Sequence, residues 1–256
     1  MKIQILTQED AFYIPRILDL LLERRRDVVG VAIVPGELRS GHAWRFLRMM
    51  GPRDFTLQVA NLAWYRALDL AGRFSRRPPS RSVRTAARRA GVPAVNVPRV
   101  NAVAFRDQLR RQGVDLLVSI ACPQKLDAET LALPARGAIN LHGALLPRYQ
   151  GIFPSFWVLA KGEAETGVTV HWMSEQLDQG DLLLQARVRI EPHDTVHSLV
   201  MRSKVEVGRH LLLEAIEAIE RGDAPRRPMD ASQAVYRSYP DAAAVREFRS
   251  RGRRFI

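Results

Sequence analysis

A doubly wound α/β fold with a mostly parallel sheet is the architecture this sequence predicts, and three observations predict it. Short β-branched runs alternate with longer stretches whose apolar residues recur at helical spacing, in the order strand, helix, strand. Val28–Val34 and Asp115–Ala121 (DLLVSIA) are almost continuously apolar, as expected of parallel strands buried on both faces. Glycines at positions 91 and 113 stand where helices would stop.

Taken in order, Met1–Leu6 reads as a first strand. Ala11–Arg25 reads as a helix, with Phe12, Ile14, Ile17, Leu18, Leu21 and Leu22 on one face and Pro15 tolerable in the first turn. Val28–Val34 is a strand closed by Pro35-Gly36. His42–Met50 and Leu57–Leu70 read as helices, and the segment from Arg76 to Ser80 breaks the pattern. Ser82–Ala90 is a helix, Val92–Val97 a short strand, Phe105–Gln112 a helix and Asp115–Ala121 the central strand. Gly137–Leu141, Gly167–Trp172 and Asp181–Ile190 read as further strands, with a helix over Gly151–Lys161. Asp194 is placed to cap a long helix running to Arg221. This gives a domain over residues 1–221 and a C-terminal extension over 222–256, too short for its own core.

The composition narrows the class. No run of about eighteen apolar residues is present, and the N-terminus MKIQILTQED lacks the apolar region of a signal peptide, so a cytoplasmic protein with no membrane partner is expected. A single cysteine, Cys122, excludes an internal disulfide framework and a cysteine-rich zinc site. The net charge of +12 invites a nucleic-acid reading, but only four of the 39 basic residues are lysines and no recognition motif accompanies them. Solvated arginine faces that attract small anions are the leading reading of the charge, and a nucleic-acid partner the lesser one.

Asn140 and His142 lie two residues apart on a predicted strand, so they project from one face while Ile139 and Leu141 pack behind. One amide and one imidazole on one face can both reach a single carbonyl oxygen. Asp178, 36 residues after the histidine, can be returned by a later loop to set the charge of that imidazole. Such a trio suits acyl transfer.

Around these residues the sequence carries Asn140-x-His142, Leu145-Leu146-Pro147, Gly151, Glu165-Thr166-Gly167-Val168-Thr169 and Leu177-Asp178-Gln179-Gly180. In this order and spacing they resemble the catalytic core of the 10-formyltetrahydrofolate-dependent formyltransferases. That family includes the glycinamide ribonucleotide, methionyl-tRNA and amino-sugar enzymes. The resemblance implies a Rossmann-like formyltransferase fold, 10-formyltetrahydrofolate as formyl donor, no metal, and Asn140, His142 and Asp178 as the catalytic residues. Asn140 and a protonated His142 would then donate to the oxyanion, and Asp178 would favour imidazolium and take the proton of the attacking amine. By position in the family pattern, Gln124, Lys125 and Leu126, with Ser174 and Glu175 in the loop before Asp178, would line the pterin site, largely through backbone groups. The family commonly has serine where this chain has Ala144, which leaves the orientation of the acceptor open. Cys122 reads as a small buried hydrophobe and His171 as a structural residue.

Layout resembles the amino-sugar or other small-amine formyltransferases, with a nucleotide-linked sugar as one acceptor. The methionyl-tRNA enzymes carry a C-terminal tRNA-contacting domain, and the about thirty-five residues after the long helix argue against that member of the family. The alternatives are a methionyl-tRNA formyltransferase-like enzyme, a formyltetrahydrofolate hydrolase, and a folate- or nucleic-acid-binding protein without catalysis. The resemblance leaves a homodimer open.

Overall fold

The computed structural model describes residues 1–36, 42–72 and 79–256. The break expected at Arg76–Ser80 and the arginines at 73, 76 and 77 therefore lie wholly or mostly outside the described residues. A seven-stranded sheet organises the chain in the order β3-β2-β1-β4-β5-β7-β8. Its strands are β1 (Ile3–Thr7), β2 (Val28–Ile33), β3 (Ala94–Asn96), β4 (Leu116–Ile120), β5 (Ala138–His142), β7 (Glu165–Trp172) and β8 (Leu182–Arg189). The first five are parallel. β7 is reversed, pairing antiparallel with both β5 and β8, which the sequence pattern did not reveal.

Helices cover both faces, as the buried parallel strands require. On one face α1 (Ile14–Arg24), α4 (Val83–Arg89) and α9 (Gly208–Arg221) bury Ile17, Leu18, Leu21, Val83, Leu212 and Ile216 against Ile3, Ile5, Val31 and Val118. On the other, α5 (Val103–Gln112) packs Phe105 and Leu109 against Leu6, Ala32 and Leu117. The alternation Leu6/Ile5 and Leu117/Val118 sends neighbouring strand residues into different cores. α2 (His42–Met50), α3 (Pro52–Ala71) and the short α6 (Ala128–Leu131) complete the first half.

Three local differences from the sequence reading have clear causes. The cap of the long helical run is Thr195, one residue after Asp194: Thr195 Oγ1 accepts from Ser198 N at 3.1 Å and Ser198 Oγ accepts from Thr195 N at 2.9 Å. That reciprocal pair satisfies two free N–H groups at once, while Asp194 accepts from Ser198 Oγ at 2.9 Å. The run is also not uniform: α8 (Val196–Val200) widens into a π-helical turn over Met201–Val207 before α9. Finally, the helix expected from Gly151 begins at Pro154, because Gln150–Gly151 forms a strand, β6, paired with β9 (Tyr236–Arg237).

Residues 222–256 lie against the body of the fold. α10 (Ala242–Ser250) packs on α7 (Pro154–Lys161), where Phe156 lies with Phe248 at 4.8 Å and with Phe255 at 5.6 Å between ring centroids. Several C-terminal arginines are structural: Arg251 Nε donates to Ala160 O at 2.8 Å and Arg253 Nη1 to Glu191 O at 2.9 Å. No helix among the described residues is long and apolar enough to cross a membrane.

Candidate active site

The C-terminal ends of β1, β4 and β5 open on one cavity of about 1840 Å³, at the point where the strand order reverses. That is where open α/β sheets hold ligands, and the volume exceeds what one small molecule usually occupies. Asn140, His142 and Asp178 all line it.

β5 brings the first two residues to one face as its alternation requires. Across the strand boundary Asn140 stands opposite His171, and His142 opposite Thr169. Thr169 secures the loop that follows: its hydroxyl donates to Ala144 O at 2.7 Å and accepts from Leu146 N at 3.1 Å. The Glu-Thr-Gly-Val-Thr and Leu-Leu-Pro segments are thus two halves of one support. Asp178 arrives on a turn within the loop of residues 173–181 that joins β7 to β8, with φ 55°. A Cβ on Gly180 would stand 1.9 Å from Trp172 O, so only glycine lets that turn close.

The three side chains are buried and coupled. His142 Nε2 donates to Tyr149 O at 2.9 Å, since a carbonyl can only accept, so Nδ1 is the nitrogen left facing Asp178 Oδ2 at 3.6 Å. Asp178 Oδ2 also accepts from Gly151 N at 2.8 Å. Burial raises the pKa of the Asp178 carboxyl, but the His142 and His171 imidazoles and the Gly151 N–H together hold it well below the usual carboxylate range. Burial lowers the pKa of His142, and Asp178, which pulls the other way, does not overcome it. The carboxylate therefore acts on the imidazole in the expected direction, while desolvation keeps the resting ring neutral.

His171, expected to be structural, belongs to the same cluster. Its Nδ1 donates to Trp172 O at 2.9 Å, which leaves Nε2 to accept from Asn140 Nδ2 at 3.1 Å. The same Nε2 lies 3.5 Å from Asp178 Oδ1. The register of β5 on β7 is what a single sequence hides here. Among the described residues, four non-glycine positions have positive φ, namely Ala121, Tyr149, Phe153 and Asp178, and all border the cavity or hold His142. Such backbone strain gathers at functional sites.

Of the residues expected near the pterin, Gln124, Lys125, Leu126 and Ser174 line the cavity. The Gln124 amide is committed to its own loop, accepting from Val100 N at 3.1 Å and donating to Pro98 O at 2.8 Å. Ser174 Oγ donates to Gln176 O at 3.0 Å. Glu175 does not line the cavity; its carboxylate accepts from Ala128 N at 3.2 Å at the start of α6, where a helix N-terminus favours an anion. Ala144 is wholly buried in the apolar cluster with Phe156 and Leu199 and does not face the cavity. Cys122 lines it with a thiol pushed up by burial to about 11, so it is no thiolate at neutral pH. Lys204, Tyr13 and His197 were not singled out from the sequence, yet all three line the cavity.

The family model described as "Formyl transferase" matches residues 69–216, more than half of the chain. Methionyl-tRNA formyltransferase of Moorella thermoacetica is 41% identical over 159 residues, 62% of this chain and 50% of that protein. The enzyme of the same name from Symbiobacterium thermophilum is 39% identical over 166 residues, 65% of this chain and 50% of that protein. The chain thus spans about half the length of these curated relatives. Among solved structures, glycinamide ribonucleotide transformylase 1 from Symbiobacterium toebii superposes with a TM-score of 0.62 at 22% identity, covering 90% of this chain and 93% of its own. An N-formyltransferase from Helicobacter canadensis, in complex with folinic acid and dTDP-3-aminofucose, gives 0.62 at 15% identity over 97% of this chain and 79% of its own. These two likenesses speak for the fold, and with the family match over residues 69–216 they lead to one conclusion: the chain belongs to the formyl transferase family.

Proposed function

We propose that this protein transfers a formyl group from 10-formyltetrahydrofolate to the primary amine of a small acceptor. The observation that carries the reading is the meeting of Asn140, His142 and Asp178 in one cavity with room for donor and acceptor together. In the reaction the amine nitrogen forms a bond to the formyl carbon and the bond from that carbon to N10 breaks. One proton leaves the amine and one reaches N10. The second N–H of the Asn140 amide and a proton on His142 Nδ1 are the donors for the oxyanion. Asp178, ionised and fixed by Gly151, accepts the amine proton. The donor's pterin would lie against Cys122–Leu126 and the loop at Ser174, whose backbone groups suit its donor and acceptor edge.

The division at Gly222 enters here as part of the proposal: residues 1–221 carry the chemistry, and 222–256 narrow the cavity toward a small acceptor, Ser238, Tyr239, Phe255 and Ile256 being among its lining residues. A second reading has its own support. The relatives at 39–41% identity are named methionyl-tRNA formyltransferases, and on identity alone methionine-charged initiator tRNA is the better-supported acceptor. The test is incubation with 10-formyltetrahydrofolate and a panel of amino sugars, aminodeoxy nucleotide sugars and charged initiator tRNA, read by mass spectrometry. Formylation of a small amine supports the first reading. Formylated tRNA alone replaces it with the second, and donor turnover without an acceptor makes the protein a hydrolase.

A further inference from the structure

The sheet edge divides the cavity into two sides. Leu126 belongs to the apolar cluster on the α5 face, and Cys122 and Met173 pack against it. Tyr13 and the residues around Lys204 (Met201, Val205, Val207) belong to the cluster on the α1 and α9 face. The loop assigned to the donor therefore lies to one side of Asn140 and His142. The opposite side is walled by the loop after β1, by Tyr13 hydrogen-bonded to His197 at 2.8 Å, and by Lys204.

On that opposite side the usual anion site is already filled. The first N–H groups of a helix after β1 commonly bind a phosphate. Here Asp10 Oδ1 accepts from Phe12 N, Tyr13 N and Ile14 N at 2.9, 2.5 and 2.9 Å. Positive charge comes instead from Lys204, carried on the π-helical turn. Its stem runs beside the residue after His142, since a Cβ built on Gly143 would stand 3.7 Å from Lys204 Cδ. Burial disfavours its ammonium form, and among the described residues no carboxylate pairs with it directly, although Asp10 and Asp178 are within electrostatic reach. Arg84 on the same cavity is held by Asn96, and Arg81 lies 4.5 Å over the Tyr65 ring.

We propose that Lys204 is the specificity-determining residue for the acceptor, binding an anionic phosphate or carboxylate group that the acceptor carries near its amine. The lysine's own charge weighs against protonation of His142, so an anion on Lys204 also relieves the imidazole at the moment the acceptor is in place. The inference rests on the formyl-transfer reading for its acceptor alone.

The experiment uses the full chain with Lys204→Met, Lys204→Arg and, as a control on the donor side, Lys125→Met. Calorimetric titration with inorganic pyrophosphate should show binding to the unchanged protein and to Lys125→Met, at least tenfold weaker binding to Lys204→Met, and retention in Lys204→Arg. Pyrophosphate that fails to bind, or binds Lys204→Met equally well, overturns the inference and leaves formyl transfer untouched. With glucosamine 6-phosphate and glucosamine as a pair, KM for the phosphate should rise about tenfold in Lys204→Met, while kcat falls by no more than about threefold and KM for the neutral amine does not rise. Equal loss of kcat for both amines overturns anion recognition in favour of a role in proton transfer. Lysine-dependent pyrophosphate binding without formylation of any amine means that the formyl-transfer reading fails and the anion site stands.

Discussion

Asn140 Nδ2 and His171 Nε2 meet at 3.1 Å across the antiparallel pair β5 and β7. The Trp172 carbonyl fixes the His171 proton on Nδ1, so Nε2 is an acceptor and the amide presents its N–H groups. His171→Ala should therefore lower kcat by roughly tenfold or more, since a misaligned oxyanion donor costs up to 10²–10³. His171→Gln, which keeps an acceptor, should recover part of the loss. Unaltered kcat in both variants would return His171 to the core.

Asn140→Ala should reduce kcat by about 10²–10³ with little change in donor binding, because the amide acts on charge that develops only in the transition state. Single-turnover kinetics and donor titration separate the two. Near wild-type turnover would remove Asn140 from the mechanism.

Asp178→Asn preserves an oxygen for the Gly151 N–H but removes the charge. Formyl transfer should fall steeply, and the oxygen's link to Gly151 should keep thermal stability close to that of the unchanged protein. A large loss of Tm would mean instead that the carboxylate is structural.

Burial lowers the pKa of His142 in the folded state, so the unfolded chain takes up this proton first as pH falls through about 6.5. Its contribution to stability is complete above that pH and declines below it. Denaturant titrations at pH 7.5 and 5.5 should show the unchanged protein losing more stability than His142→Asn. Equal losses would show that His142 remains neutral or charged alike in both states.

Gly151→Ala should destabilise the protein by roughly 1–3 kcal/mol and impair turnover together. Position 151 has φ +95°, and a Cβ there would stand 2.1 Å from Arg237 O. Because Gly151 N holds Asp178, an active variant of wild-type stability would contradict the arrangement.

Much of this was legible in sequence for a physical reason. Buried parallel strands such as Leu116–Ile120 are continuous apolar runs, and an N-x-H pair on a strand must share a face. Direction was not legible, because alternation over Gly167–Trp172 is the same for either neighbour orientation. Thr195 and Asp194 are both good caps, and only the reciprocal bond with Ser198 chooses between them. The partnership of Asn140 with His171 depends on register, and the two-residue pairing of β6 with β9 joins segments far apart in the chain. Glu175 had two attractive destinations, and the free N–H groups of α6 took it from the cavity.

The widened turn over Met201–Val207 has a genetic consequence. Each residue added to or removed from a helix rotates its remainder by about 100°. Loss of a single codon in this turn ahead of Lys204 would swing the Lys204 side chain off the cavity wall, while β5 and the aspartate loop, encoded upstream, would keep their places. If Lys204 selects the acceptor as proposed, that choice can drift by insertion and deletion without disturbing the strand that carries Asn140 and His142.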